Sequence, residues 1–275
     1  MQLGYDVSVI SVWAGRIDEL ERTVKSVASQ VGVRLQHLIV MPQSRSQYDP
    51  IVRNIAPNVT ILYDTGTGIY QAMNLGAENA KGTVLVFMNG GDAFVAPSSL
   101  VRAFNELPDQ FQWGLFGWIA GDRPRIPFAN ESTDPNSYRI RVRDLAYFRV
   151  IQCHQATLIR RQFFTQVGPF DDQLSIAADY EWSLRAASTD SPWLGTTPVA
   201  QISTDGVSKT KVLRTVVESH RARARMESGI WCRVQSLFFS GYHAFRWQAS
   251  VMSGKLKSIR VNPQAIVCRS KKSDC

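Results

Sequence analysis

The chain has 275 residues, 44% hydrophobic and 20% charged, enough for one sizeable core or for one domain with an appendage. No apolar run approaches the roughly 18 residues of a membrane span, and no basic stretch precedes the first apolar one, so neither a spanning helix nor a signal peptide is expected. The net charge of +8 is uneven: residues 1–208 carry 17 Lys and Arg against 20 Asp and Glu, whereas residues 209–275 carry 14 against 3, a slightly acidic body with a strongly basic tail.

In chain order, Asp6–Trp13 mixes alternation with β-branched residues and predicts a strand. Ile17–Gln30 places Ile17, Leu20, Val24, Val27 and Ala28 at helical spacing, with Asp18, Glu19 and Glu21 in its first turn and Gly32 as the stop. "QHLIVM" and "VTILYD" predict the second and third strands, the latter ending at Asp64. Ile69–Ala80 predicts a helix with Gly82 at the C′ position, "TVLVFM" a fourth strand, and Pro97–Glu106 a helix with proline in its first turn. This alternation makes an α/β sheet, mostly parallel in its first half.

The pattern then loosens. "FQWGLFGWIA" predicts an aromatic strand, and Gly121–Ser137, with three prolines, a long loop over a site. "QATLIRRQFFTQVGPF" predicts a strand, a short helix and a turn, and Ala177–Ala187 a further helix. Cys153, Cys232, Cys268 and Cys275 have no CxxC spacing, which predicts free thiols in a reducing compartment and no zinc site.

Two glycine-rich turns carry the chemistry. Gly66 and Gly68 follow the third strand and open a helix; Gly90 and Gly91 follow the fourth and lead to Asp92. In an open α/β sheet both land at the carboxyl edge, where ligands bind. Glycine lets the backbone approach a ligand, and a helix start favours phosphate. A carboxylate beside a diphosphate suits Mg²⁺ or Mn²⁺, which share their coordination with phosphate oxygens and water.

The stretch "DTGTGIYQAMNLGAENAKGTVLVFMNGGDAF" resembles the central signature of family 2 glycosyltransferases of GT-A fold, in the bacterial exopolysaccharide branch that includes the colanic-acid enzymes. "VSVISVWAGRIDELERTVKSVASQ", "CHQATLIRRQFFTQVGPFDDQLSIAADYEWSLR" and "STDGVSKT" resemble that family's opening, its H-Q strand with the acidic helix, and its closing segment, over roughly residues 6–210. The resemblance implies an α/β GT-A mixed sheet flanked by helices as a catalytic domain over 1–208, and the charge and spacing of residues 209–275 add a basic helical extension. It implies an inverting hexosyl transfer from a nucleotide-diphospho-sugar, in which Asp92 holds a divalent metal (Mn²⁺ or Mg²⁺) and Asp179 is the base. Asp64, Gly68, Asn74 and Asn89 match donor-binding positions, and His154 matches a histidine that contacts acceptor or phosphate or is simply a satisfied strand-end residue.

Some positions depart from the family. The nucleobase-holding aspartate after the second strand is absent from "MPQSRSQYD", leaving Gln43 or Ser44 to face a base, and Gln71 replaces an acid. An alternative is therefore an inactive relative serving as a scaffold in polysaccharide assembly. In the tail, Trp231, Val234, Phe238, Tyr242 and Phe245 recur at steps of three and four among basic residues, which predicts an amphipathic helix for an anionic membrane surface. That suits a lipid-linked saccharide acceptor at the inner face of the plasma membrane, with the chain cytoplasmic and peripheral. The competing readings are helices packed on the body and, with no recognised module to support it, nucleic-acid binding.

Overall fold

A computed structural model describes residues 6–127, 152–203 and 212–226. In chain order the strands are β1 (Asp6–Val12), β2 (Arg34–Pro42), β3 (Thr60–Asp64), β4 (Val84–Phe87), β5 (Ala93–Phe94), β6 (Trp113–Ala120), β7 (Arg123–Arg125), β8 (Thr157–Arg160) and β9 (Trp193–Ile202). The α-helices are α1 (Ile17–Ala28), α2 (Asp49–Ile55), α3 (Ile69–Glu78), α4 (Ser99–Glu106), α5 (Arg161–Val167), α6 (Ala178–Thr189) and α7 (Val212–Met226).

The strands form one mixed sheet in the order β3-β2-β1-β4-β8-β6-β9-β5, with β7 on β6. Strands β1 to β4 run parallel. Strand β8 is antiparallel to both β4 and β6, while β9 is parallel to β6. This arithmetic of directions decides where the site can be. The carboxyl ends of β1 to β4, β6 and β9 and the start of β8 all reach one edge. Residues 12–16, 42–48, 64–68, 88–92, 154–156 and 203 therefore share that edge although they are scattered along the chain.

Both faces of the sheet are covered, as fully buried strands such as Val84–Phe87 require. On one face α3, α5 and α6 pack on Ile10, Leu38, Leu85, Phe87 and Leu115. On the other, α1 and α4 pack on Val7, Val9, Val84 and Val86, and α1 continues onto Ile39, Met41 and Val52 of α2. Helix α1 forms as its apolar spacing dictates, burying Leu20, Val24 and Val27, and the Glu19 side chain accepts from the Arg16 amide at its start. Trp113 and Trp118 are buried in the sheet core.

Several boundaries differ from the sequence reading. Helix α3 ends at Glu78, and Gly82 is no C′ residue. A Cβ there would lie 2.4 Å from the Ser8 amide nitrogen, so the glycine permits close approach to β1. Helix α4 begins at Ser99, which leaves Pro97 ahead of the helix. Segments 43–48 (a 3-10 turn) and α2, and strands β5 and β9, lie where the pattern gave no element. Of the predicted 121–137 loop only 121–127 are described, and they contain β7 after a turn at 121–122. The amphipathic 231–251 segment and nearly all of "STDGVSKT" lie outside the described residues. Among the described residues no helix is long and apolar enough to cross a membrane.

Candidate active site

The turn after β4 is the centre of the edge. Its glycines differ in purpose. Gly91 has φ +95°, a conformation that L side chains rarely adopt, whereas a Cβ on Gly90 would strike the Trp13 ring. Thr23 of α1, fully buried, holds this turn: its hydroxyl accepts from the Gly91 amide at 3.0 Å and donates to the Asp92 carbonyl at 2.6 Å. No motif marks Thr23; it reads in sequence as one polar residue on a helix.

Asp92 points into the protein and is buried. Its Oδ2 accepts from Gln155 Nε2 at 2.6 Å and its Oδ1 from the Ser203 amide at 2.8 Å. Burial pushes its carboxyl above the usual range, and those donors offset only part of the effect. One carboxylate thus ties the β4 turn to the start of β8 and the end of β9.

Beside it runs a chain of polar side chains. Asn89 Nδ2 lies 3.0 Å from His154 Nε2, His154 Nδ1 lies 2.8 Å from Asp179 Oδ2, and Tyr70 Oη lies 3.0 Å from Asp179 Oδ1. With Nε2 accepting from the Asn89 amide, the proton of neutral His154 sits on Nδ1 and is donated to Asp179. Asp179 lies in the first turn of α6, and its Oδ1 also accepts from the Tyr180 amide at 2.8 Å. Burial alone would raise its carboxyl. The His154, Tyr70 and Tyr180 donors outweigh burial and hold it below the ordinary range. Tyr70 itself is pushed up, first by burial and then by the Asp179 charge, so its hydroxyl keeps its proton.

Helix α6 is anchored by Trp182, whose ring centroid is 5.5–6.3 Å from those of Trp113, Phe163, Phe164 and Phe170. Glu181 and Arg185 do not lie on solvated faces. Glu181 is buried, and Arg185 bonds it while donating to the carbonyls of Val167 and Pro169.

The remaining expected residues lie nearby in different settings. Asp64 ends β3 and caps its own turn by accepting from the Gly66 amide at 3.0 Å. Gly66 has φ +72°, while Gly68 is extended at the start of α3, and both are exposed. Asn74 is taken up by Phe170, donating to its carbonyl at 2.9 Å and accepting from its amide at 3.0 Å. An open cleft of about 590 Å³ lies along the same edge, lined by Ala14, Arg16, Glu19, Arg45 and Tyr48 among others. The Glu19 carbonyl accepts from the Gly91 amide, which joins the cleft to the Asp92 turn. Arg45 stands 5.5 Å from the Trp13 ring centroid and donates to the Ala14 carbonyl. Neither Arg45 nor Tyr48 carried a motif.

The sequence model described as "Glycosyl transferase family 2" matches residues 8–168. The chain belongs to glycosyltransferase family 2. An uncharacterized glycosyltransferase of Mycobacterium tuberculosis is 31% identical over 210 residues, covering 73% of this chain and 76% of the relative. A PGL/p-HBAD biosynthesis glycosyltransferase of Mycobacterium bovis is 27% identical over 173 residues, 62% and 64% of the two chains. Among solved structures, S. aureus TarS 1–349 in complex with UDP-GlcNAc superposes with TM-score 0.65 at 15% identity, over 92% of this chain and 76% of that one. The mannosyltransferase PcManGT of Pyrobaculum calidifontis, in complex with GDP-Man and Mn²⁺, gives 0.59 at 13%, over 91% and 79%. At these identities the structures establish the fold, which is the GT-A fold of glycosyltransferases.

The residues of this family 2 chain suit a divalent cation in one respect. Each Asp92 oxygen keeps a free lone pair, and Oδ1 of Asn89 is buried with no hydrogen-bond partner. Such an all-oxygen set fits a hard cation that takes its other ligands from diphosphate and water. Among the described residues no group of three or more His, Cys, Asp or Glu could hold a metal.

Proposed function

We propose that this family 2 enzyme transfers a hexosyl group, with inversion, from a nucleotide-diphospho-sugar to a lipid-linked saccharide in bacterial surface polysaccharide synthesis. The observation that carries the reading is the Asn89–His154–Asp179–Tyr70 chain at the edge where the sheet delivers its strand ends. Inversion needs one base opposite the leaving group. The acceptor oxygen forms its bond to the anomeric carbon as the carbon–phosphate-oxygen bond breaks, and the hydroxyl proton passes to Asp179. His154 and Tyr70 hold the carboxylate so that it meets the acceptor ionised and already oriented.

The nucleoside side fits the cleft beside Arg45 and Tyr48, with Asp64, Gly68 and Asn89 facing the donor and Asn74 supporting it through the Phe170 turn. A divalent metal held at Asp92 would offset the charge growing on the departing diphosphate. The donors bound in the TarS and PcManGT complexes, UDP-GlcNAc and GDP-Man, support the substrate class without choosing a base.

The charge of residues 209–275 supports attachment to an anionic bilayer, and α7 leaves Leu213 and Val217 exposed one turn apart, with exposed Arg221 one turn further. Vesicles rich in anionic lipid should retain the protein and release it in salt, whereas neutral vesicles and nucleic acid should not bind it.

The deciding experiment is calorimetric titration of UDP, GDP, ADP, CDP and dTDP with and without Mn²⁺, followed by transfer assays on Asp179→Asn. One nucleotide should bind, and Asp179→Asn should keep that affinity while losing about 10²–10⁴-fold in transfer. Full transfer in Asp179→Asn sinks the base assignment. If folded protein binds no nucleotide, the scaffold reading replaces the enzyme.

A further inference from the structure

The basic tail begins with a helix whose buried groups have nothing to do with a membrane. In α7, Glu218 is 3% exposed, Arg223 is 1% exposed, and Ala222 is fully buried. Glu218 reaches the loop that starts α6. Its Oε2 accepts from the amides of Ile176 at 2.8 Å and Ala177 at 3.1 Å. Its Oε1 accepts from the Ser175 amide at 3.2 Å and the Ser175 hydroxyl at 3.0 Å. Arg214, one turn earlier, donates to Oε1 at 2.9 Å.

This arrangement holds the turn that leads into α6. A helix start leaves backbone N–H groups without partners, and a side chain at the N-cap normally satisfies one of them. Here the N-cap is Ala177, which has no side-chain acceptor. Glu218, 41 residues further on, takes the N-cap Ala177 amide and the two amides before it, Ser175 and Ile176, while the Tyr180 amide is met by Asp179 Oδ1. A carboxylate has acceptors only, so it suits a site lined by donors alone. Its negative charge also complements the positive end of α6.

The held peptide touches the site directly. Ile176 gives its N–H to Glu218, and its carbonyl shares the single Tyr70 hydroxyl proton with Asp179, standing 2.7 Å from Oη against 3.0 Å for Asp179 Oδ1. Moving residues 175–177 therefore moves Tyr70 relative to Asp179. We propose that Glu218 is a positioning residue for transfer: the α7 carboxylate fixes the start of α6, and through Ile176 and Tyr70 it sets the orientation of Asp179. The basic extension then contributes to chemistry as well as to attachment. This rests on Asp179 being the base.

The test compares Glu218→Gln, Asp179→Asn, the double variant and Arg225→Ala. The last breaks the 2.6 Å Arg225–Asp171 bridge, which docks α7 without touching the α6 cap. Glu218→Gln keeps its shape but turns two N–H groups toward donors. It should lower kcat by about tenfold with nucleotide Kd unchanged, as misplacement of a reacting group does. In the Asp179→Asn background it should lower kcat no further, because residues acting through one group are not additive. Arg225→Ala should lower Tm and leave kcat alone.

Unchanged kcat in Glu218→Gln overturns the proposal, as does a fall that adds in full to that of Asp179→Asn. Parallel loss of nucleotide affinity overturns it too, since that marks general loosening. A fully active Asp179→Asn overturns the base assignment instead, and the positioning role with it. Should Glu218→Gln fail to fold, Ser175→Ala removes one donor and keeps the carboxylate. It should lower kcat by about two- to threefold at unchanged Kd, and no change there overturns the proposal.

Discussion

Asp92 ties β4, β8 and β9 together and, in the proposed function, holds a divalent metal; one substitution series separates the two. Its oxygens receive the Ser203 amide and the Gln155 side chain, both where the side chain is 5% exposed. Asp92→Ala leaves both donors buried without a partner. At about 1.5–3 kcal/mol for each hydrogen bond to a charged group, the loss is about 3–6 kcal/mol. Asp92→Asn keeps one acceptor for Ser203 and sets an amide against Gln155, at a cost of about 1–2 kcal/mol. For a domain of this size that lowers Tm by about 2–8 °C. Calorimetric unfolding measures the first role, and Mn²⁺-dependent nucleotide titration of the folded Asn variant measures the second. The Asn variant is expected to be modestly destabilised and to lose most of its metal-dependent affinity, because an amide oxygen is a weaker ligand than a carboxylate. An Asn variant as stable as the parent refutes the tie between β4, β8 and β9. A destabilised variant with intact Mn²⁺-dependent binding refutes the metal role and leaves Asp92 as a tie.

Asn74→Leu removes the paired bonds to Phe170 and should cost about 2–4 kcal/mol by leaving a buried amide and carbonyl unpaired; nucleotide affinity in the folded variant should be unchanged, and a large loss would show direct donor contact. Gly82→Ala drives a Cβ to 2.4 Å from the Ser8 backbone, which cannot swing aside, so denaturant midpoints should report a loss of about 1–3 kcal/mol or more, and an unchanged midpoint would show that β1 yields. His37, buried with its Nε2 2.9 Å from Ser11 Oγ, is lowered to about 3 by burial. A group neutral in the fold contributes fully above the ordinary histidine value of about 6.5 and loses that contribution as pH falls, so stability should decline from there downward and His37→Gln should flatten the slope. Asp171 is held low chiefly by Arg225, and Glu218 is low because its amide and Arg214 donors outweigh burial. Their contributions are present above the ordinary carboxylate range near 4 and vanish below it, so α7 should undock only under stronger acid, read as loss of amide protection at residues 175–177.

The parallel half of the sheet was legible because its strands are apolar on both faces and alternate with helices of clear 3.6 period. The second half was not, for reasons visible in particular residues. Strand β9 contains Gly195, two threonines and Pro198 and reads as a loop; it exists because β6 offers a long edge on one side and β5 pairs on the other. Strand β5 has two residues, too few for any period. Gly82 looked like a helix terminator because it stands near the end of a helical pattern. Its actual constraint is a backbone from another strand, which no local window contains.

The site divides in the same way. Residues that a motif marks, such as Asp92 and Asp179, could be named in advance. Of their partners only His154 could; the others are ordinary in their own neighbourhoods. Thr23 is a polar position on an amphipathic helix, Gln155 follows a more conspicuous histidine, and Tyr70 reads as a core aromatic. Glu218 pairs with Arg214 at i,i+4 in a basic stretch, which in sequence describes a solvated face. What sets them apart is the edge to which the sheet brings them. Asp179 is oriented by α3 through Tyr70, by the start of β8 through His154, and by α7 through the loop that Glu218 holds. These three supports come from separate stretches of the chain, around residues 70, 154 and 218, so with Asp179 as the proposed base its orientation depends on α7 being docked. Under the proposed reading, association of the tail with a surface would act on a helix that supports the proposed base, giving the basic extension a physical route to the reaction.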